Sequence, residues 1–102
     1  MRLTETQYRA TMDPEPVPVG EDAAPPFPFW DYVDAIPAAD FAGHDFSACA
    51  VSYAWTMPVS GYQHVLVASE TANVFLVVVL DLQQGAVYGH HVLDLRRLYG
   101  LA

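Results

Sequence analysis

The chain has 102 residues, of which 53% are apolar and 16% charged, with twelve carboxylates, four arginines and no lysine, for a formal net charge of −8. That much apolar residue excludes a wholly disordered chain, and the length suits one domain, 1–102, with one hydrophobic core. The excess of carboxylates excludes nucleic acid and anionic membrane surfaces as partners, because both bind through cationic contacts.

One cysteine, Cys49, leaves no intrachain disulfide to form. Residues 1–12 lack the apolar core of a signal peptide. The longest apolar run, Val74–Leu80, is seven residues, far short of the ~20 that span a bilayer. A cytoplasmic protein is expected. Arginine without lysine is the codon usage of a GC-rich genome, and a bacterial source is expected.

In chain order, residues 1–12 read as a short helix. Thr4 and Gln7 match a capping box, Leu3 and Tyr8 occupy the staple positions around it, and Pro14 ends it. Residues 13–28 carry six prolines and three acidic side chains beyond Asp13. They read as an extended, acidic connector lying over the domain. Phe29, Trp30, Val33 and Ile36 give residues 29–36 a helical apolar face, with Asp31 and Asp34 turned away. Pro37 stops that helix, and 38–42 adds one turn closed by Gly43.

The period then changes to two. Cys49, Val51, Tyr53 and Trp55 alternate with small residues in a strand over 47–57. Strands follow over 62–68, 73–82 and 86–95, joined by a polar turn and by Gln83-Gln84-Gly85. Such short links force antiparallel pairing. The fold class expected is α+β: a four-stranded antiparallel sheet with a C-terminal meander and two short N-terminal helices on one face. Gly89 inside the last strand marks a bulge or a close backbone approach.

Residues 74–80 are apolar on both sides of their strand, whereas an antiparallel sheet ordinarily wets one face. With both helices on one side, the other side needs cover. The connector and the tail around Leu98, Tyr99 and Leu101 are candidates, but a protein partner or a second copy of the chain is favoured.

Catalytic and metal-binding patterns are absent, and no cofactor is expected. His90 and His91 are neighbours in a strand and face opposite ways. His64, His90 and Asp94 form the only candidate polar site. His64 would stand about two strand spacings, ~10 Å, from His90, and Asp94 ~13 Å along the strand, too far apart for one metal ion. The pairs His44–Asp45 and His90–Asp81 lack the defined geometry that acid–base chemistry requires. Cys49 reads as a buried, inert thiol, and the serines match no nucleophile elbow.

Three functions are weighed. The first is a non-catalytic protein-binding module, an acidic inhibitor or immunity-type protein that engages a basic protein. Its rim would be Asp31, Asp34, Asp40 and Asp45, and its anchors Tyr53, Trp55 and Tyr62. Small acidic bacterial inhibitors of toxins and nucleases supply the analogy. The second is a homodimeric accessory protein. The third is a small-ligand or minor enzyme site built on His64, His90 and Asp94.

Overall fold

A computed structural model describes residues 1–19, 29–41, 43, 44, 46, 51–71 and 73–98. It is an α+β arrangement on an antiparallel sheet of five strands in the order β1-β2-β3-β4-β5. These are β1 (Val17–Pro18), β2 (Val51–Met57), β3 (Tyr62–Ala68), β4 (Val74–Asp81) and β5 (Ala86–Asp94). The helices are α1 (Glu5–Ala10), α2 (Phe29–Ala35), a 3-10 turn over Ala38–Phe41, and α3 (Leu95–Leu98).

The first helix forms as its residues dictate. Thr4 Oγ1 accepts from the Gln7 amide and Gln7 Oε1 accepts from the Thr4 amide, while Leu3 and Tyr8 are buried together. Among the strands, β3 keeps the bounds read from its sequence, β4 is one residue shorter at each end, and β5 ends one residue short. The Gln83-Gln84-Gly85 turn has Gly85 at φ 64°. Its amides at Gln83 and Gln84 donate to the Asp81 carboxylate, so Asp81 serves its own turn, away from His90.

Two expectations are corrected. The sheet has a fifth strand, because the start of the connector pairs with β2 at Val17↔Thr56 and Pro18↔Trp55. Prolines at 16 and 18 alternate with Val17 and Val19. The Val19 amide can therefore donate to the Ala54 carbonyl at 2.9 Å, while the donorless nitrogen of Pro18 faces outward. Proline in that position is compatible with an edge strand and blocks further pairing. The rest of the connector, 20–28, lies outside the described residues, as do Ala42, Asp45, 47–50 and the tail from Tyr99.

The second correction concerns the helices, which lie on opposite faces of the sheet. Phe29, Val33 and Ile36 of the α2 segment pack with Phe46 on Val65, Val67, Leu76, Val78 and Leu80. Leu3 and Tyr8 pack on Val77 and Val79, on the other side of the same strand. Leu76, Val77, Val78, Val79 and Leu80 are each 0% exposed. The cover that the strand pattern demanded is thus supplied within one chain. Each such side chain contributes about 1.5–3 kcal/mol on burial, so both helices are tied to β4.

Residues 1–19 cover one of these sides by strapping across it from edge to edge. Arg2 makes a parallel bridge to His90 on the outer edge of β5. The His90 amide donates to the Met1 carbonyl at 3.0 Å, and the Leu3 amide to the His90 carbonyl at 2.7 Å. The chain then crosses the face as α1. Asp13 accepts from the Val59 and Ser60 amides in the β2–β3 loop, and the strap ends as β1 on the opposite edge.

The strap seats on Gly89. The β4–β5 register shifts between Val79 and Leu80, so Gly89 pairs with Val79. A β-carbon on Gly89 would lie 2.7 Å from two Leu3 side-chain carbons and from the Met1 carbonyl oxygen. The side chain could shift, but the backbone oxygen is held by the bridge to His90. Gly89→Ala is therefore expected to destabilise the fold by about 1–3 kcal/mol, the usual cost of overpacking, read as a lowered urea midpoint.

Candidate binding face and the histidine network

Three of the four histidines lie under or beside the strap. Their ring nitrogens are assigned by the partners they meet. The His64 ring, 1% exposed, sits on the α1 side. The Thr11 hydroxyl donates to the Tyr8 carbonyl at 2.7 Å, so it accepts from His64 Nε2 at 2.8 Å. His91, on the same face, stacks on Tyr8 with ring centroids 4.7 Å apart and donates from Nδ1 to the Leu3 carbonyl.

His90 faces the α2 side. Its Nε2 donates to Asp40 Oδ2 at 2.9 Å, and its Nδ1 accepts from the Tyr32 hydroxyl at 2.6 Å. Tyr32 Oη in turn accepts from the Met1 nitrogen at 2.8 Å. Hydroxyl, imidazole and carboxylate stand in the order used by nucleophile, base and orienting group. Two observations argue for a structural clamp instead. Burial, reinforced by the Asp40 charge, raises the pKa of the Tyr32 phenol and keeps it protonated. The adjoining cavity, lined by Tyr32, Ile36, Pro37 and His90, holds only about 90 Å³, whereas ligand pockets occupy roughly 300–1,000 Å³.

Burial also governs His64. Desolvation lowers its pKa from 6.5 to about 4, against the opposing pull of the Thr11 hydrogen bond and the Asp13 charge. His90 is lowered as well, chiefly by desolvation. Neither His64 nor His90 shares a site with the other, because His64↔Val79 and His90↔Val78 place them on opposite faces. Asp94 lies on the α2 side at the far end of β5 and accepts from Arg96 Nε and Nη2. Among the described residues no group of three or more histidine, cysteine, aspartate or glutamate side chains could hold a metal ion. The His44–Asp45 pair and Cys49 fall on residues outside the description, and His44 itself meets the Thr71 hydroxyl.

The residues read as rim and anchors are divided between the two faces. Asp31 and Asp34 are exposed on α2, and Asp40 is engaged by His90. Tyr53, Trp55 and Tyr62 belong to the α1 side, where Tyr53↔Leu66 and Trp55↔His64 are cross-strand partners. Tyr53 and Trp55 lie against each other with ring centroids 4.7 Å apart, and Tyr62 meets Tyr88 at 5.1 Å.

With only six residues, α1 covers part of this face. Tyr53, Leu66, Phe75 and Leu93 form a half-buried apolar strip across β2 to β5, flanked by Trp55. Exposed Glu15 precedes β1, and exposed Glu70 follows β3. At its β5 end the strip meets a groove of about 1130 Å³, whose walls include Tyr8, Met12, His91 and Leu93.

Sequence reasoning missed Tyr32, Thr11 and Asp13. The pairing of Tyr32 and Asp40 with His90 joins residues far apart in the chain and leaves no local pattern. Asp13 before Pro14 was the one readable sign of a loop-capping carboxylate. No protein-family model, no curated protein and no solved structure matches the chain.

The buried histidines make stability depend on pH. The folded His64 pKa lies below that of the unfolded chain, so the unfolded state takes up the proton first. Stability is full above about pH 6.5 and falls as the pH drops towards 4, by roughly 3 kcal/mol at most from this residue. Urea titrations at pH 7 and pH 5 are expected to show the loss, and His64→Gln is expected to flatten most of the difference.

Proposed function

We propose that the chain is a non-catalytic protein-binding module of the acidic-inhibitor kind, which engages a basic protein through the α1 side of its sheet. The observation that carries this is the half-buried strip of Tyr53, Leu66, Phe75 and Leu93 beside Trp55, left by a helix too short to close the face. Tyrosine and tryptophan supply large, rigid contact area at low entropic cost and are the favoured anchors of interfaces.

Charge complementarity selects the partner. A net charge of −8 repels acidic proteins and speeds encounter with basic ones. Exposed Glu15 before β1 and exposed Glu70 after β3 take the place in the rim first assigned to Asp31 and Asp34 on the opposite layer. Cover of Leu76–Leu80 by a partner or by a second copy has lost its premise, since those side chains are dry within one chain.

The test compares the wild-type chain with a Tyr53→Ala/Trp55→Ala variant shown by its urea midpoint to be folded. Immobilised at low ionic strength, the wild type is expected to retain a basic protein that the variant releases. About 0.5 M salt, which shortens the screening length to roughly 4 Å, is expected to elute it. Retention by both chains alike, or by neither, overturns the reading.

A further inference from the structure

The strap leaves the edge of β5 beyond His90. His90 turns its amide and carbonyl outward, where Met1 and Leu3 take them. Alternate residues of a strand point their backbone groups the same way, and the register runs unbroken from Val78↔His90 to Leu76↔Val92. The amide and carbonyl of Val92 therefore also face outward. By that point the strap has turned away, because α1 is capped at Thr4, and among the described residues no backbone group bonds to Val92 from outside the sheet.

Val92 lies in the wall of the 1130 Å³ groove, with Leu93 and Tyr8 supplying apolar surface and Arg2 standing at the end nearer His90. The charges there are unevenly matched. Glu5 is ion-paired with Arg9 and Asp94 with Arg96, while Asp40 accepts a hydrogen bond from the neutral His90 ring, each at 2.9 Å. Arg2 has no carboxylate within ion-pair distance among the described residues. Because the His90 ring is neutral, the Asp40 carboxylate keeps its charge, and Arg2 is the cation of this groove left without an ion-pair partner among the described residues.

We propose that this groove binds the extended C-terminal segment of a partner protein, which adds to β5 as a strand at Val92 and places its terminal carboxylate on Arg2. Every pair of named strands in the sheet is antiparallel, and antiparallel pairing is the more stable form. A segment entering antiparallel to β5 runs from Asp94 towards His90. It must stop where Leu3 already occupies the His90 carbonyl, so the end that arrives at Arg2 is a C-terminus. A guanidinium holds a carboxylate through two parallel hydrogen bonds. Strand addition of this kind draws affinity from the main chain and selectivity from alternate side-chain pockets. The proposal rests on the chain being a protein-binding module but uses a surface apart from Tyr53 and Trp55.

The test uses the full chain and an array of random peptides of about six residues, the ordinary length of a strand, synthesised with free and with amidated C-termini. Free-acid binders are expected, weakened about tenfold or more by amidation or by Arg2→Gln, the size of a lost charge-assisted contact. Methylation of the peptide nitrogen opposite Val92 is expected to weaken them comparably. Equal binding of free and amidated peptides overturns carboxylate capture, and indifference to N-methylation at every position overturns strand addition. An array without binders, while the Tyr53/Trp55-dependent partner is still retained, overturns this proposal and leaves the module reading standing. Peptide binding without that partner does the reverse.

Discussion

The closeness of Leu3 to Gly89 organises the molecule. At that point the amino-terminal segment lies flat on β5, because the bulge in β5 presents a residue without a side chain. From that seat Leu3 and Tyr8 reach Val77 and Val79, which become dry. The opposite side of β4 depends on α2 and Phe46. A strand apolar on both sides is stable in this small protein only because α1 covers one side and the α2 segment with Phe46 covers the other.

The same strap manages the two sheet edges. Unpaired edge strands invite pairing with other chains. On one side Val17–Pro18 closes β2 and presents donorless proline outward. On the other, Met1–Leu3 closes part of β5. Closure of β5 is incomplete beyond His90, where Val92 faces outward, since the strap must leave the edge to become α1. The groove at that place follows directly from this departure.

Polar groups secure the layers. His90 joins β5 to Tyr32 of α2 and to Asp40 of the 3-10 turn, while His64 joins β3 to Thr11 at the end of α1. Each ring is dry and neutral, and each hydrogen bond has a definite direction. Networks of this kind specify one packing arrangement, because a misplaced partner would leave a buried donor or acceptor unsatisfied. Their geometry resembles catalytic machinery, but a cavity of about 90 Å³ beside Tyr32 has room for little more than water.

Local patterns in the sequence determined the helix cap at Thr4 and Gln7, the stops at Pro14 and Pro37, the period-two strands, the Gly85 turn and the special status of Gly89. Each is a matter of neighbours within a few residues, where backbone sterics and hydrogen bonding decide the outcome. The double-sided apolar character of β4 was equally plain, and it correctly demanded two covers. Which element supplied each cover was decided only by the tertiary structure. The strand reading of Pro16-Val17-Pro18-Val19 depends on β2 lying beside it, and the opposite placement of the helices depends on which side of β4 each one packs against. The assembly of Tyr32, Asp40 and His90, and the separation of the aspartates of α2 from Tyr53 and Trp55, follow from which face each side chain occupies. A pattern along the chain states that a residue alternates, but only packing assigns the side to which it turns.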